Sequence, residues 1–323
     1  MTKKVLLISH GALILVIIVL LLRIGIVPAA PARASRDYSN EYKFTNPILD
    51  YENPKMSSVS LFSESVESKV HDLKKRYGLD FASVYFRDLD DGQWIGVNEK
   101  EALASASLVK LPILISLLKD AETRPGFLEQ RVAVTAADAG ADLRQNIKPD
   151  RPVMPGETYT LGELAERMIV ESDNVAAAAI IRATDENREQ IYRAVGVKFH
   201  DEEDEVMVNV KNYAGFFRVL FNATYLSREN SEKALGILSK VKFTQGIVAG
   251  VPAGTPVAHK FGERSVTING LEGQTQLHDC GIVYYPENPY LLCIMTRGNN
   301  FDNQEKFIAE VSRYFYAEVR KSL

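Results

Sequence analysis

The spacing of the strand-like segments constrains the fold of this chain more than any other feature. Alternating or continuous runs of apolar, β-branched and aromatic residues, bounded by turn residues, predict strands at Phe81–Arg87, Gln93–Asn98, Val257–Phe261, Gln276–Tyr285 and Tyr290–Thr296. The first two and the last three are separated by a long stretch, about residues 122–245, whose pattern is mostly helical. If the two groups share one sheet, this stretch must form a lobe inserted between its strands.

Helical patterns flank both groups of strands. Ser60–Tyr77 carries apolar residues at helical spacing, and Ser107–Lys119 is a strongly apolar helix. The chain ends in an amphipathic helix whose apolar stripe consists of Phe307, Val311, Phe315 and Val319. We therefore expect residues 58–323 to form an α+β domain. An antiparallel sheet of about five strands would be flanked by N- and C-terminal helices and interrupted by an all-helical lobe.

The N-terminus carries an apolar run, Val5–Leu22, that is long enough to span a bilayer as a helix. It predicts a transmembrane helix within residues 1–23. An extracytoplasmic linker over residues 24–57, rich in Pro, Ala, Ser and Asn, would follow. The alternative is a cleaved signal peptide, because Ala32-Arg33-Ala34 has the small-x-small form of a cleavage site.

Composition argues against several classes of function. The net charge is −4, so no excess of basic residues favours nucleic acid as a partner. The five histidines are scattered without the spacing of a helical zinc site, and no glycine-rich phosphate loop is visible, so we expect neither a metal nor a cofactor.

Cys280 and Cys293 lie on opposite arms of the last predicted hairpin. If Tyr285 pairs with Tyr290, the cysteines are diagonal neighbours, which favours two buried free thiols.

The first candidate for chemistry is Ser107-Leu108-Val109-Lys110. Residues three apart share one face of a helix, so the lysine amine can reach the serine hydroxyl. The start of a helix also offers free N–H groups and a partial positive charge to a developing oxyanion. Ser116–Lys119 and Ser239–Lys242 match the same Ser-x-x-Lys pattern. We interpret them as coincidences, because one lies deep in the apolar helix and the other near a helix end.

Two further motifs follow along the chain. Ser172-Asp173-Asn174 precedes a new helical pattern, and helix capping is the ordinary role of such residues. Lys260-Phe261-Gly262 lies on a predicted strand. A strand glycine allows a ligand to approach the backbone closely, and the lysine supplies a cation for a carboxylate.

Taken in order, Ser-x-x-Lys, Ser-Asp-Asn and Lys-x-Gly resemble the motifs of penicillin-recognising serine enzymes, and most closely those of the class A β-lactamase family. The resemblance extends through about residues 60–320 and includes the hairpin from Asp279 to Thr296. Penicillin-binding D,D-peptidases share the same motifs.

The resemblance implies a role for each motif residue. Ser107 would be the nucleophile and Lys110 its base, while Ser172, held near Lys260, would pass a proton to the leaving nitrogen. Lys260 would also attract the substrate carboxylate. The residues implied in substrate binding are Asn174, which would contact the amide side chain, Gly262 on the strand, and Glu263, whose N–H would complete an oxyanion hole with that of Ser107.

Two departures from the family pattern affect the expected activity. Phe261 replaces the usual Thr or Ser that helps to hold the carboxylate, and Glu263 adds a negative charge beside it. Arg264 and Arg297 are candidates to bind the carboxylate instead.

The second departure is that the family's Glu-x-x-Leu-Asn motif, whose glutamate activates the deacylating water, is missing between residues 174 and 209. The acidic residues of that stretch outside the motif pattern include Glu186, Glu189, Glu202, Glu203 and Glu205.

The sequence thus predicts a serine acyl hydrolase that cleaves β-lactams or D-alanyl peptides through a Ser107 acyl-enzyme. One alternative is a membrane-anchored penicillin sensor or D,D-peptidase with slow deacylation, and another is hydrolysis of a different small amide, such as glutamine. We expect the protein at the cell membrane with the domain outside the cytoplasm, or secreted if the N-terminal segment is cleaved.

Overall fold

The structure is a computed structural model that describes residues 42–46, 60–140, 146–184, 188–197, 206–268 and 271–322. The chain divides into two units, Met1–Tyr38 and Ser39–Leu323, and every described residue belongs to the second. The predicted membrane segment, residues 1–23, and most of the linker lie outside the described residues. Within the described ranges, none of the helices has the length and apolar character needed to cross a membrane.

The elements alternate as the sequence pattern predicts, with strands at both ends of a helical middle. In chain order they are α1 (Ser60–Arg76), β1 (Phe81–Asp88), β2 (Trp94–Val97), β3 (Leu103–Ala104), α2 (Lys110–Ala121), β4 (Arg131–Ala133), α3 (Ala136–Ala139), β5 (Thr158–Thr160), α4 (Leu161–Val170), α5 (Asn174–Ala183), α6 (Arg188–Ala194), β6 (Met207–Val208), α7 (Val210–Phe221), α8 (Arg228–Leu238), β7 (Val257–Ile268), β8 (Leu271–Val283), β9 (Tyr290–Gly298) and α9 (Phe301–Ser322). Two 3-10 turns lie at Ala106–Val109 and Ile247–Gly250.

One five-stranded antiparallel sheet organises the domain, in the order β2-β1-β9-β8-β7. It confirms the predicted α+β architecture, because strands from both ends of the domain meet where β1 pairs with β9. The terminal helices α1 and α9 contact each other and the sheet. Phe86 of β1 stacks on Phe315 of α9, with ring centroids 4.7 Å apart. This topology leaves β7 as an edge strand, with one side of its backbone available to a ligand.

The β7–β8 hairpin is longer than predicted. Its arms pair from Val257↔Val283 to Ile268↔Leu271, whereas β9 pairs with β8 only as far as Thr275↔Gly298. Beyond Thr275 the two arms therefore pair only with each other, and Ser265 and Gly273 there are exposed. The sequence of this extension does carry a hairpin signal, because Val266 and Ile268 alternate with polar residues before Asn269-Gly270, so its length could have been predicted.

The middle of the chain forms the predicted helical lobe, with short two-stranded ribbons added. β3 pairs with β6, and β4 with β5. The helix α4 begins at a capping box, in which the side chains of Thr160 and Glu163 each accept the other residue's backbone N–H. In this lobe α2 packs against α4, α6 and α8, while α7 contacts the strands β1, β8 and β9. The lobe is thereby held against the sheet.

The cysteines correct one prediction. Val283, not Tyr285, pairs with Tyr290, so Cys280 lies directly opposite Cys293 with their Cα atoms 4.0 Å apart. The two residues form a disulfide. The prediction of free thiols was wrong because the connection between the strands is longer than assumed, which moves the register by two residues.

Residues 42–46, inside the predicted linker, dock on the domain. The carboxylate of Glu232 on α8 accepts the backbone N–H groups of Lys43, Phe44 and Thr45 at 2.6, 2.8 and 2.8 Å. The hydroxyl of Tyr284 donates to the Phe44 carbonyl at 3.1 Å, and the two rings meet edge to face. The Asn46 N–H also donates to the Phe221 carbonyl at 2.9 Å, so several contacts anchor the linker at this point.

Candidate active site

Ser107 lies in the 3-10 turn that connects β3 to α2. Ala106, the residue before it, has a φ of +48°, a left-handed conformation that turns the chain sharply. The turn is held by two hydrogen bonds to Leu108, whose N–H donates to the Ser105 carbonyl at 3.0 Å and whose carbonyl accepts from the Tyr213 hydroxyl at 2.9 Å. The serine hydroxyl is therefore presented from a braced turn at the start of a helix.

Lys110, the first residue of α2, connects the first two motifs. Its Nζ lies 3.0 Å from Ser107 Oγ and also donates to the carbonyl of Ser172 at 2.5 Å and to Oδ1 of Asn174 at 2.6 Å. Only 3% of the lysine is exposed. The expected Ser-x-x-Lys contact therefore exists, and the lysine is held away from bulk water.

The Ser172-Asp173-Asn174 segment combines the capping role with a position in the site. Asp173 caps α5, accepting the Ala176 N–H at 2.8 Å, and its second carboxylate oxygen accepts the Val153 N–H at 2.8 Å. Ser172 has a φ of +54°, and it is buried. The cap holds the turn in place, and the residues on either side of Asp173 reach Lys110.

Lys260, from the third motif, contacts the same Ser172 side chain as Lys110 does. Its Nζ donates to Ser172 Oγ at 2.8 Å and to the Phe261 carbonyl at 2.6 Å, and the residue is completely buried. The same Ser172 Oγ lies 3.2 Å from Lys110 Nζ. One hydroxyl therefore bridges two lysines, an arrangement that can pass a proton from one to the other.

Gly262 allows the edge strand β7 to lie against the 3-10 turn that carries Ser107. A Cβ at this position would stand 3.1 Å from each of three atoms: Leu108 Cγ, Leu108 N and Ser105 O. Two of these atoms belong to the backbone and cannot move aside easily. A larger residue at 262 would push the strand or the turn apart by a few tenths of an ångström, so the glycine allows the backbone at 262–263 to lie near Ser107.

Burial changes the proton affinity of both lysines. It lowers the pKa of Lys110 from 10.5 to about 7, although the carboxylates of Asp173 and Glu263 raise it. Burial and then the charge of Lys110 lower the pKa of Lys260 well below its ordinary value, against the opposing charges of Asp279 and Glu263. A lysine with a pKa near neutrality can accept the proton of the serine it touches.

The residues around the strand motif include two features that the sequence did not reveal. Phe261 is buried and stacks on Phe243, with ring centroids 4.5 Å apart. Glu263 reaches out of the strand, and its carboxylate accepts the Asn146 N–H at 2.7 Å, the Asn146 amide at 2.6 Å and the Ile147 N–H at 3.1 Å. No local pattern could have predicted a partner so far along the chain.

Behind the strand lies a buried His259–Asp279 pair that sequence reasoning also missed. Asp279 Oδ1 is 2.8 Å from His259 Nδ1, and Oδ2 accepts the Ile247 N–H at 2.8 Å. Because His259 precedes Lys260 directly, the pair fixes the strand at the lysine. The only sequence signal was a histidine beside the motif, which is too common to be specific.

Other candidates lie elsewhere. Ser116 is buried inside α2, and the Ser239 hydroxyl donates to the Gly236 carbonyl at 2.8 Å. Arg297 lies on β9, separated from β7 by β8. Glu189 is on α6 and pairs with Arg193 at 2.5 Å. Glu186, Glu202, Glu203 and Glu205 lie outside the described residues.

Metal ligation finds no support within the described ranges, where no three His, Cys, Asp or Glu residues come together in a way that could hold an ion. The cations present at the site are lysine ammonium groups. Its chemistry, as far as these residues show it, consists of a serine hydroxyl, two buried amines and the amide donors of an edge strand.

Comparison with known proteins shows which family the chain belongs to. A family model described as the β-lactamase enzyme family matches residues 65–319, and the chain belongs to that family. No curated protein sequence matches the chain.

Solved structures share the fold at low sequence identity. PBP-A superposes with a TM-score of 0.66 at 23% identity, covering 80% of this chain and 96% of that one, and a mutant of PBP-A was solved as an acyl-enzyme complex with penicillin G. A class A β-lactamase from Mycobacterium abscessus gives 0.66 at 21%, covering 79% and 99%. A β-lactamase from Burkholderia phymatum gives 0.67 at 19%, covering 80% and 98%.

Proposed function

We propose that this protein is a serine acyl-transfer enzyme that opens β-lactams or D-alanyl peptides through an ester on Ser107. The observation that carries the proposal is the contact between Lys110 Nζ and Ser107 Oγ at 3.0 Å, made by a buried lysine whose pKa is about 7. Near neutral pH about half of such a lysine is an unprotonated amine, ready to act as a base.

Acylation follows from the contacts. Lys110 takes the hydroxyl proton as Ser107 Oγ bonds to the carbonyl carbon of the scissile amide. The resulting oxyanion is stabilised by the backbone N–H groups of Ser107 and Glu263. The C–N bond then breaks, and the leaving nitrogen takes its proton from the Ser172 hydroxyl, which Lys260 or Lys110 reprotonates.

Substrate binding uses the same elements. The open edge of β7 offers backbone hydrogen bonds to an extended ligand, as expected for a strand with only one neighbour. Asn174, which bonds to Lys110 in the free site, would turn towards the amide side chain of the substrate. The close contact at Gly262 keeps this edge near Ser107.

The rate of deacylation distinguishes an efficient β-lactamase from a D,D-peptidase or a penicillin sensor. Water must be activated on the ester, and loss of a dedicated base costs about 10²–10⁴-fold in rate. Among the described residues of 174–209, the carboxylate of Glu189 is engaged by Arg193. We therefore favour slow release of a penicilloyl group. A D,D-peptidase or a penicillin sensor fits this expectation better than an efficient β-lactamase does.

The proposed location is outside the cytoplasm. The Cys280–Cys293 disulfide supports it, because such bonds persist in oxidising compartments. Peptidoglycan and β-lactams are encountered there. We further propose that Val5–Leu22 retains the protein in the membrane. Fractionation followed by N-terminal sequencing tests this, and a soluble form that begins at Ser35 would instead indicate a cleaved signal peptide.

The decisive experiment is intact-protein mass spectrometry after exposure to labelled benzylpenicillin. The wild type should gain one penicilloyl adduct, Ser107→Ala should gain none, and the matched controls Ser116→Ala and Ser239→Ala should behave as the wild type. A chase with unlabelled drug then measures deacylation. An adduct retained by Ser107→Ala would refute the nucleophile, and turnover above about ten per second, near the median enzyme kcat, would refute slow release.

A further inference from the structure

The side chain of Glu263 connects the two sides of the site. Glu263 leaves the edge strand β7, whereas Asn146 and Ile147 belong to the segment that leads into α4 of the helical lobe. Three N–H donors from that segment converge on the carboxylate, at 2.6 to 3.1 Å. The residue is only 8% exposed. Such charge-assisted bonds hold both the segment and the carboxylate in place.

This carboxylate stands beside the part of the strand that would hold a substrate. Residues 261 and 263 project to the same side of β7, since side chains alternate along a strand. At 261 the ring of Phe261 is buried against Phe243 and offers no hydroxyl. Of these two residues the polar one is therefore an anion, while Lys260 projects to the other side of the strand.

The charge of Glu263 reaches both amines of the site. It raises the pKa of Lys110 and that of Lys260, so its field extends over the position where an anionic ligand would seek a cation. A ligand carboxylate attracted by Lys260 must approach Glu263 as well. Because the environment is buried, repulsion between the two anions is not screened as it is in water.

We propose that Glu263 determines specificity: it makes the site discriminate against substrates with a carboxylate beside the scissile amide and favour those that are uncharged there. The inference rests on the proposed function and narrows its substrate class. β-Lactams and D-alanyl peptides ordinarily carry this carboxylate, so among them the site would favour derivatives in which it is neutralised. Asn146 acts with Glu263 as a positioning residue, because its two donors hold the carboxylate against the strand.

The test compares the rate of Ser107 acylation by benzylpenicillin with that by its methyl ester, which differ only in this carboxylate. The wild type should react faster with the ester. In Glu263→Gln, which keeps the shape and removes the charge, the acid-to-ester rate ratio should rise at least about tenfold. Glu263→Ala, measured in parallel, removes the hydrogen bonds as well and should change the ratio in the same direction.

Glu232→Gln is the matched control, because Glu232, on α8, likewise accepts three N–H groups from a distant segment, all three from the backbone. The acid-to-ester rate ratio of Glu232→Gln should equal that of the wild type. Asn146→Ala keeps the charge and loosens its support, so its ratio should lie between those of the wild type and Glu263→Gln.

Three results would overturn the inference. One is a wild type that prefers the free acid by tenfold or more. The second is a ratio unchanged in both Glu263 variants, with circular dichroism spectra showing that they are folded. The third is the absence of a Ser107 adduct with either compound in every variant, which would remove the proposed function itself and the inference with it.

Discussion

The pH dependence of acylation tests the base most directly. If neutral Lys110 takes the Ser107 proton, the acylation rate must follow the unprotonated fraction of a group with a pKa of about 7. That fraction rises from roughly one tenth at pH 6 to roughly nine tenths at pH 8. The rate should therefore increase about tenfold over this interval, level off above it, and fall about tenfold for each unit below pH 6.

The carboxylate of Glu263 allows the assignment to be checked by a second perturbation. Its charge raises the pKa of Lys110, so Glu263→Gln must move the midpoint of the profile to lower pH. Glu232→Gln, which changes a carboxylate on α8, should leave the midpoint where it is. In Lys110→Arg the side chain keeps its charge but cannot lose its proton near pH 7. The rate should fall by about 10²–10⁴-fold and lose this dependence between pH 6 and 8.

The assay is stopped-flow acylation by the methyl ester of benzylpenicillin, with single-turnover conditions so that deacylation does not contribute. The ester carries no titrating carboxylate, and adduct mass confirms reaction at Ser107. A rate that is flat from pH 6 to 8 in the wild type, or a midpoint near the ordinary lysine value of 10.5, would refute Lys110 as the base. A midpoint that rises in Glu263→Gln would refute the electrostatic argument.

Three further substitutions test how the site is supported. Gly262→Ala should lower the acylation rate at least about tenfold, because the added Cβ pushes β7 away from the 3-10 turn that carries Ser107; stopped-flow rates that match the wild type would contradict this. Replacing Cys280 and Cys293 together by Ala should lower the free energy of unfolding by about 3 kcal/mol in urea titrations, and dithiothreitol should have no further effect on that variant. Glu232→Gln should lower it by about 1–3 kcal/mol while acylation stays unchanged; an unchanged urea midpoint would show that the hydrogen bonds of Glu232 to residues 43–45 do not stabilise the fold.

Much of the fold follows from the sequence because the relevant signals are local. Short runs of consecutive apolar and aromatic residues mark β1 and β9, and a single stripe with Phe307 and Phe315 marks α9. The helical middle between two groups of strands then leaves few ways to close one sheet. Two expectations were wrong for different reasons. The extension of the β7–β8 hairpin was signalled by Val266 and Ile268 before Asn269-Gly270, whereas the register at Cys280 and Cys293 depends on the length of a turn.

Part of the candidate site, too, could be predicted from the sequence, and part could not. The motif residues could be singled out from their order, since a lysine three positions after a serine on one helical turn must lie near it, and the contact between Lys110 and Ser107 follows. Sequence alone therefore supplied the proposed nucleophile, its proposed base and the family resemblance.

Only the tertiary structure decided what surrounds these residues. That one hydroxyl, Ser172 Oγ, lies within reach of both lysines depends on three segments far apart in the chain. The partners of Glu263 are 117 and 116 positions away. The pKa of Lys110 is a property of its burial rather than of its neighbours in sequence. Desolvation and long-range hydrogen bonds arise only when distant segments pack together, so a local pattern in the sequence cannot encode them.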